Sequence, residues 1–227
     1  MPPNKPGDGI SRNVYRKNIV RKYLIDRELA TLEEQARGNT SILRTLSSLL
    51  YDHDALIRWR AIEALGKVSK IIFEDDPEKV RRQIRRILWL MNDESGGLCR
   101  NGPETIGEII FNNSELIEEY GPVLLSFLNE EPFEAGTSWA IARLAKIDPS
   151  IFADSISILE KSLENPDPAV RGFSLKALAE LRGHAAMDKF KALKTDNSIF
   201  VDYDFDRGIP VELSVSHYAL LCLEGMG

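Results

Sequence analysis

Several residue types and motifs that mark common protein classes are scarce in this chain of 227 residues. Its two cysteines, Cys99 and Cys222, stand far apart and outside any CxxC or Cys/His cluster, which argues against structural zinc and favours a reducing compartment. The apolar runs are only a few residues long, so we expect no membrane-spanning segment and no membrane partner. The opening residues, MPPNKPGDGI, lack the apolar core of a signal peptide, and we therefore expect a cytoplasmic protein.

The sequence also lacks the common catalytic signatures. It contains no glycine-rich phosphate loop, nucleophile elbow or HExxH motif. Its three histidines, His53, His184 and His217, do not stand beside glutamates in a repeated motif, so we interpret them as structural residues. We predict no catalytic residue, no cofactor and no metal site, and we prefer a non-catalytic function while leaving enzyme activity open.

The charge is negative overall but unevenly distributed. A net charge of −6 disfavours a general nucleic-acid binder, which needs a basic face, so we expect no nucleic-acid partner. Residues 1–30 hold seven basic and three acidic residues, whereas residues 92–134 hold ten acidic residues and one basic residue. This pattern indicates either an ordinary solvated surface or a basic arm and an acidic middle that each contact a partner.

The chain divides into a tail, a capping helix and a repeated region. Residues 1–9 contain three prolines and two glycines with little apolar content, which predicts a disordered tail. Residues 10–38 show apolar residues at helical spacing and end at Gly38-Asn39, so we expect one unpaired helix that caps the first repeat. Residues 39–227 alternate between first (A) and second (B) helices of successive pairs.

The B helices can be superposed on one another. We take Ala64, Thr105, Ala140 and Ala177 as equivalent anchors; their spacings are 41, 35 and 37 residues, the period of a helical-pair solenoid. The positions seven and three before each anchor, and the anchor itself, are large, small and small in each case. Small residues there would let stacked helices approach closely.

Two of the B helices carry a motif that is typical of a known class of repeats. The stretches DALIRWRAIEALG and DPAVRGFSLKALAEL resemble the D-x-x-V-R-x-x-A-x-x-A-L signature of HEAT repeats, in the phycobilisome-lyase-like subclass. The resemblance covers about residues 40–193 and implies an all-α, right-handed α-α superhelix of about five helical pairs. The second repeat departs from the motif, because Cys99 replaces the usual arginine and Gly102-Pro103 interrupts the helix.

A short segment before the final helix has the period of a strand. Ile199, Val201, Tyr203 and Phe205 alternate with Phe200, Asp202, Asp204 and Asp206, and Arg207-Gly208 follows as a turn. We therefore predict a β-hairpin over about residues 199–213. The spacing of the three aspartates also invites a calcium-loop interpretation, but Leu213 occupies the position of the bidentate glutamate, and one face of a strand explains the acids.

The resemblance to HEAT solenoids implies that the B helices line a concave groove. Positions four and one before each anchor and three after it share the face turned away from the core. We predict that this face forms a partner groove with two aromatic side chains among charges, which are features of interface hot spots. The predicted groove residues are Arg60, Asn101, Glu104, Glu108, Trp139, Arg143, Phe173 and Lys176. The alternative is that Trp139 and Phe173 pack between repeats.

The Gly102-Pro103 pair predicts an irregular start of the second B helix. Proline has no N–H, so the carbonyl of Cys99 would lose its helical donor. We expect a kink or restart near Asn101 that collects Asn101, Glu104 and Glu108 as hydrogen-bond acceptors on the groove. The pair could instead only adjust the curvature of the solenoid.

Three classes of function are compatible with these observations. A non-catalytic protein-binding scaffold or adaptor fits best, because solenoids present extended concave surfaces. The resemblance to the lyase-like subclass implies, as an alternative, a lyase or chaperone subunit that handles a cofactor or chromophore. A HEAT-like DNA glycosylase is a remote alternative, since it needs a basic groove. We expect a protein partner, and the sequence leaves the oligomeric state open.

Overall fold

The computed structural model describes residues 12–92, 99–181 and 187–224. Within these ranges the chain forms twelve α-helices and one two-stranded antiparallel sheet. None of the described helices is long and apolar enough to cross a membrane. The helices are α1 (Arg12–Ile25), α2 (Leu29–Ala36), α3 (Ser41–Leu49), α4 (Ala55–Asp75), α5 (Pro77–Met91), α6 (Gly102–Asn112), α7 (Ile117–Leu125), α8 (Glu134–Leu144), α9 (Ile156–Ser162), α10 (Pro168–Glu180), α11 (Met187–Leu193) and α12 (Val215–Glu224).

The helices from α3 onward form pairs that stack in chain order. The second helix of each pair contacts the second helix of the next pair, in the order α4, α6, α8, α10 and α12. Short 3-10 segments, Ser114–Leu116 and Pro149–Ser155, precede α7 and α9. The described chain is therefore a helical repeat fold, as predicted, while the handedness of the superhelix stays a prediction.

Small residues at the predicted anchor positions lie where the second helices meet. Ala64, Thr105, Ala140 and Ala177 are all fully buried. Ser138 on α8 and Ser174 on α10 are also buried, and their hydroxyl oxygens lie 3.3 Å apart across the helix contact. Short side chains allow such close helix packing because the backbones can approach without leaving a cavity.

The repeated aspartate and arginine of the motif have structural roles. Asp54 caps α4 by accepting from the amide of Leu56 at 2.9 Å, and Asp167 caps α10 by accepting from Ala169 at 2.8 Å. The arginine four residues after each cap donates to two carbonyls of the preceding turn, Arg58 to residues 52 and 53 and Arg171 to residues 165 and 166. The motif thus shapes each turn between paired helices.

The N-terminal region differs from the predicted single capping helix. It forms two helices, because the chain turns at Arg27, whose φ of 54° is left-handed. Helix α1 packs against α3, and α2 packs against α4, so the two helices continue the pairing pattern at this end. The tail predicted for residues 1–9 lies outside the described residues.

Helix α6 begins at Gly102, which agrees with a restart near Asn101. Pro103 stands in the first turn, where its missing N–H is not needed. The predicted free carbonyl is wrong, because the Cys99 carbonyl accepts from the amide of Gly102 at 2.9 Å. The preceding stretch, residues 93–98, lies outside the described residues.

The strands β1 (Ile199–Asp204) and β2 (Ile209–Ser214) form the predicted hairpin between α11 and α12. Strand β1 packs on α10, and β2 packs on α4. The hairpin therefore reaches across the stack from its last pairs to its first complete repeat, over the side of the B helices on which the groove was predicted.

Candidate functional site

Two arginines hold the tip of the hairpin against the N-terminal helices. Arg60 on α4 donates from Nε to the Gly208 carbonyl at 2.8 Å, and from Nη1 to the carbonyls of Leu24 and Ile25 at 2.8 and 2.6 Å. Arg27 donates to the carbonyls of Phe205 and Asp206. Gly208 has a φ of 65°, and a Cβ there would lie 2.2 Å from Arg27 Nε, so the turn requires glycine.

Glu63 on α4 connects the N-terminal turn at Arg27 to strand β1. Its carboxylate accepts from Arg27 at 2.8 Å and from the hydroxyl of Tyr203 at 2.5 Å, and it is 3% exposed. The Tyr203 ring stacks on Trp59 with centroids 5.4 Å apart. Burial and the Glu63 carboxylate raise the pKa of Tyr203 well above its usual range, so the phenol stays a hydrogen-bond donor.

Asp202 is the polar centre of the contact between β1 and the groove. Its carboxylate accepts from Trp139 Nε1 at 2.9 Å, from Lys176 Nζ at 2.5 Å and from the hydroxyl of Tyr218. Burial, together with the Asp202 charge and hydrogen bond, raises the pKa of Tyr218 well above its usual range. Two of the predicted groove residues, Trp139 and Lys176, therefore bind a carboxylate of their own chain.

Phe173, the second predicted aromatic, packs against the hairpin as well. It is 4% exposed and meets Phe200 edge-to-face with ring centroids 5.1 Å apart. Gly172 makes room for this ring, since a Cβ there would lie 2.2 Å from Phe200 Cζ. Trp139 and Phe173 are thus buried, but the hairpin covers both of them, whereas the alternative had them packed between repeats.

Arg143 and Glu108 form a paired cluster next to the hairpin tip. Arg143 donates to both carboxylate oxygens of Glu108, at 2.9 and 3.3 Å. Its guanidinium carbon lies 3.6 Å from the ring centroid of Phe111 and 4.1 Å from that of Phe205. Burial raises the pKa of Glu108, and the charge of Arg143 opposes that rise.

Glu104 and Asn101 do not form the open acceptor site that the sequence predicted. Glu104 is 8% exposed, and one of its oxygens accepts from Asn101 Nδ2 at 3.3 Å. The other oxygen, Oε2, has no hydrogen-bond partner among the described residues. This carboxyl lies beneath α8, where a Cβ at Gly136 would be 2.6 Å from Glu104 Oε2, and this burial raises the pKa of Glu104 to about 7.

The residues that sequence reasoning missed are those that bind the hairpin from elsewhere. Arg27 was counted only as part of a basic arm, and nothing near it in sequence indicates a contact with residues 205 and 206. Asp202 shares a strand face with Phe200, and the structure buries both side chains, whereas the sequence pattern indicated only that this face carries the acids. Five of the eight predicted groove residues contact the hairpin, namely Arg60, Trp139, Arg143, Phe173 and Lys176. Glu108 pairs with Arg143, and Asn101 contacts Glu104.

No group of three or more possible metal ligands occurs among the described residues. Cys99 and Cys222 are unpaired and buried, and burial raises the pKa of each thiol to about 11, which leaves little thiolate at neutral pH. The fold and site thus define a helical-repeat protein whose B-helix groove holds its own β-hairpin.

Comparisons with known proteins find only low similarity. No family model matches the chain. An uncharacterized protein of Archaeoglobus fulgidus is 29% identical over 171 residues, which are 74% of this chain and 90% of that protein.

Solved structures are similar at still lower identity. An engineered protein matches with 16% identity and a TM-score of 0.49, over 92% of this chain and 91% of its own. An archaeal HEAT-like repeats protein from Thermococcus onnurineus NA1 matches with 17% identity and a TM-score of 0.42, over 98% of this chain and 81% of its own. Because these TM-scores are below 0.5, the evidence for the repeat architecture is the pattern of contacts between the helices of this chain.

Proposed function

We propose that this chain is a non-catalytic scaffold of HEAT-like repeat type that binds a protein partner. One observation supports the proposal: the stack of helices already binds an extended segment of polypeptide, the β-hairpin of its own chain. Arg27 and Arg60 bind its main-chain carbonyls, and Phe173, Trp139 and Lys176 bind its side chains. Repeat proteins that bind peptides use this combination of main-chain and side-chain contacts.

The partner surface in this proposal is the outer face of the filled groove. Ile199 and Val201 on β1 are 55% and 42% exposed, while their neighbour Phe200 is buried against α10. Two exposed β-branched side chains on a strand that is anchored from behind form a rigid apolar contact surface. A cytoplasmic location is part of the same proposal, because cysteines that form no disulfide are typical of proteins in a reducing compartment.

Affinity capture followed by reconstitution tests the scaffold function. The wild-type chain would be used as bait, retained proteins identified by mass spectrometry, and the strongest candidate purified and titrated by calorimetry. We expect a saturable complex that Val201→Glu weakens by about tenfold or more, since a charge would be buried in the contact. Val123→Glu is the matched control, because Val123 on α7 is 38% exposed and lies away from the hairpin.

Two results would contradict the scaffold proposal. If none of the retained proteins binds the purified chain by calorimetry, the scaffold proposal is wrong. If the purified chain carries a visible absorbance band, the lyase or chaperone alternative replaces it. The glycosylase alternative has no support from the groove, which is filled by the hairpin and lined by Glu63 and Glu108.

A further inference from the structure

A continuous basic groove runs between the first helices of the first pairs, away from the hairpin. Two adjacent cavities, of about 330 and about 480 Å³, lie between α1 and α3 and between α3 and α5, and share Ser41 and Arg44. No carboxylate lines either cavity among the described residues, although the chain has a net charge of −6. The six basic residues that line them, here called the basic groove, are Arg16, Lys17, Arg44, Lys79, Arg82 and Arg86.

Helix α5 carries two arginines that form ion pairs with carboxylates and two that do not. Arg81 lies 2.8 Å from the carboxylate of Glu119, and Arg85 pairs with Glu78, so these two are neutralised outside the groove. Arg82 and Arg86, one residue further along, line the groove with Arg44. Within the described part of the chain, these three arginines form no ion pair.

Lys79 is paired with the Asp76 carboxylate at 3.2 Å, and several other polar groups along the groove are hydrogen-bond donors. Lys17 donates to the Ser48 carbonyl, and Arg16 donates to the Ser41 hydroxyl, so both stems are fixed beside the cavity. Thr40 and Ser41 stand at the start of α3, the positive end of that helix. Several cations with neighbouring hydroxyls make a surface complementary to an extended chain of oxyanions.

The composition of the groove favours carboxylates of a peptide over nucleic acid. Single-stranded nucleic acid binds through bases stacked on aromatic side chains as well as through phosphates. No aromatic residue lines either cavity among the described residues. The exposed acids Glu115, Glu118 and Glu130 on the following repeat would also repel a long polyanion that continued past α5.

We propose that the basic groove binds an acidic peptide segment of a protein partner, through Arg44, Arg82 and Arg86. This site is separate from the hairpin face, and it depends on the proposed scaffold function only for the class of partner. It gives the basic N-terminal region a role of its own: Arg16 and Lys17 on α1 extend the surface beyond the three unpaired arginines.

Fluorescence anisotropy with synthetic peptides tests this site directly. The probe is a fluorescein-labelled peptide of about ten alternating glutamates and aspartates, and the neutral probe has glutamine and asparagine in their place. We expect the acidic peptide to bind and the neutral one not to, with weaker binding when NaCl rises from about 0.05 to about 0.5 M. Equal binding of the two peptides would overturn the proposal.

Two double variants separate the groove from the overall charge. Arg82→Gln with Arg86→Gln should weaken acidic-peptide binding about fivefold or more. Arg81→Gln with Arg85→Gln removes the same charge from the same helix but outside the groove, and should change binding less than about twofold. Both pairs are on the surface, so circular dichroism should show unchanged folding. An equal effect of the two pairs would sink the groove assignment.

The outcomes also distinguish this site from the scaffold function. If a captured partner binds but is insensitive to the Arg82 and Arg86 changes, and the acidic peptide does not bind, the scaffold stands and the groove assignment fails. If a labelled single-stranded oligonucleotide of similar length binds more tightly than the acidic peptide, the groove is a nucleic-acid site and this proposal is wrong.

Discussion

Trp139 shows why a tryptophan among charged residues need not be an exposed one. Its indole N–H is buried and must find an acceptor, which is Asp202, and that carboxylate in turn also needs donors from Lys176 and Tyr218. Lys176, one of the charged residues that suggested a solvent-facing patch around Trp139, therefore belongs to the same hydrogen-bonded cluster around Asp202. The centroid of the Trp139 ring lies 5.5 Å from that of Trp59 and 6.1 Å from that of Phe205.

Replacing this tryptophan should therefore destabilise the fold. Trp139→Ala removes a side chain that is 1% exposed and leaves Asp202 with one donor fewer, so we expect the free energy of unfolding to fall by about 3–5 kcal/mol. Urea denaturation followed by circular dichroism measures the change. Trp89→Ala is the matched control, since Trp89 on α5 is 66% exposed and its loss should cost about 0.5 kcal/mol or less. Equal stability of the two variants would mean that Trp139 is not a core residue.

Glu104 should make stability depend on pH. Its pKa is about 7 in the folded protein against 4.5 as the ordinary value, so the folded state holds the proton more tightly. The stability contributed at this site is present below about pH 4.5 and is lost as pH rises through 7. Glu104→Gln should therefore match the wild type at pH 5 more closely than at pH 8, where we expect it to be more stable by up to about 3 kcal/mol.

Urea denaturation at the two pH values checks this expectation. Glu115→Gln serves as the control, because Glu115 is exposed on the next repeat. A difference between Glu104→Gln and the wild type that stays constant with pH would show that the carboxyl does not change its protonation between pH 5 and 8.

At the scale of the element, the hairpin has the predicted alternation but buries more than one face. Phe200 and Asp202 point into the groove, and Ile199 and Val201 face outward, as alternation requires. Tyr203 is nevertheless buried too, because it reaches Glu63 and Trp59 on α4. A two-stranded hairpin is marginal by itself, so these contacts with the helices hold it in place.

A methyl group at Gly172 should loosen the hairpin. Gly172→Ala places a Cβ where Phe200 now lies, and we expect a loss of about 1–3 kcal/mol with faster amide hydrogen exchange in residues 199–214. Phe200→Ala should remove the clash, so the double variant should be less destabilised than the sum of the two single variants. Additive losses would contradict a direct contact between these two positions.

At the scale of the whole molecule, stability depends on close contact between consecutive B helices. The anchors are completely buried, and a charged side chain there would have no partner. We expect Ala64→Asp and Ala177→Asp each to cost several kcal/mol and to abolish the cooperative thermal transition. Ala179→Asp is the control, since Ala179 lies on α10 as well but is exposed. A wild-type melting curve for Ala177→Asp would show that the anchor register is wrong.

The sequence by itself determined the helical repeat and the place of the hairpin. Apolar spacing, small anchor residues and the Asp and Arg of the motif are local features, and each acts within a helix pair or on the next pair. The strand period of residues 199–204 is equally local. Gly102 and Pro103 likewise predicted where α6 begins, because proline is favoured in the first turn of a helix; Asn101 precedes the helix without a side-chain cap bond.

Only the tertiary structure decided what fills the groove. Arg60 meets Gly208 across 148 positions of sequence, Tyr203 meets Glu63 across 140, and Trp139 meets Asp202 across 63. No periodicity links such residues, since the pairing depends on where the stack carries the hairpin. The turn at Arg27 was missed because the residue there is not glycine, although the amides of Arg27 and Glu28 bond back to the carbonyls of Leu24 and Tyr23 at the end of α1. The contacts of its side chain with Glu63 and the hairpin carbonyls are far away in the chain and gave no signal in the sequence.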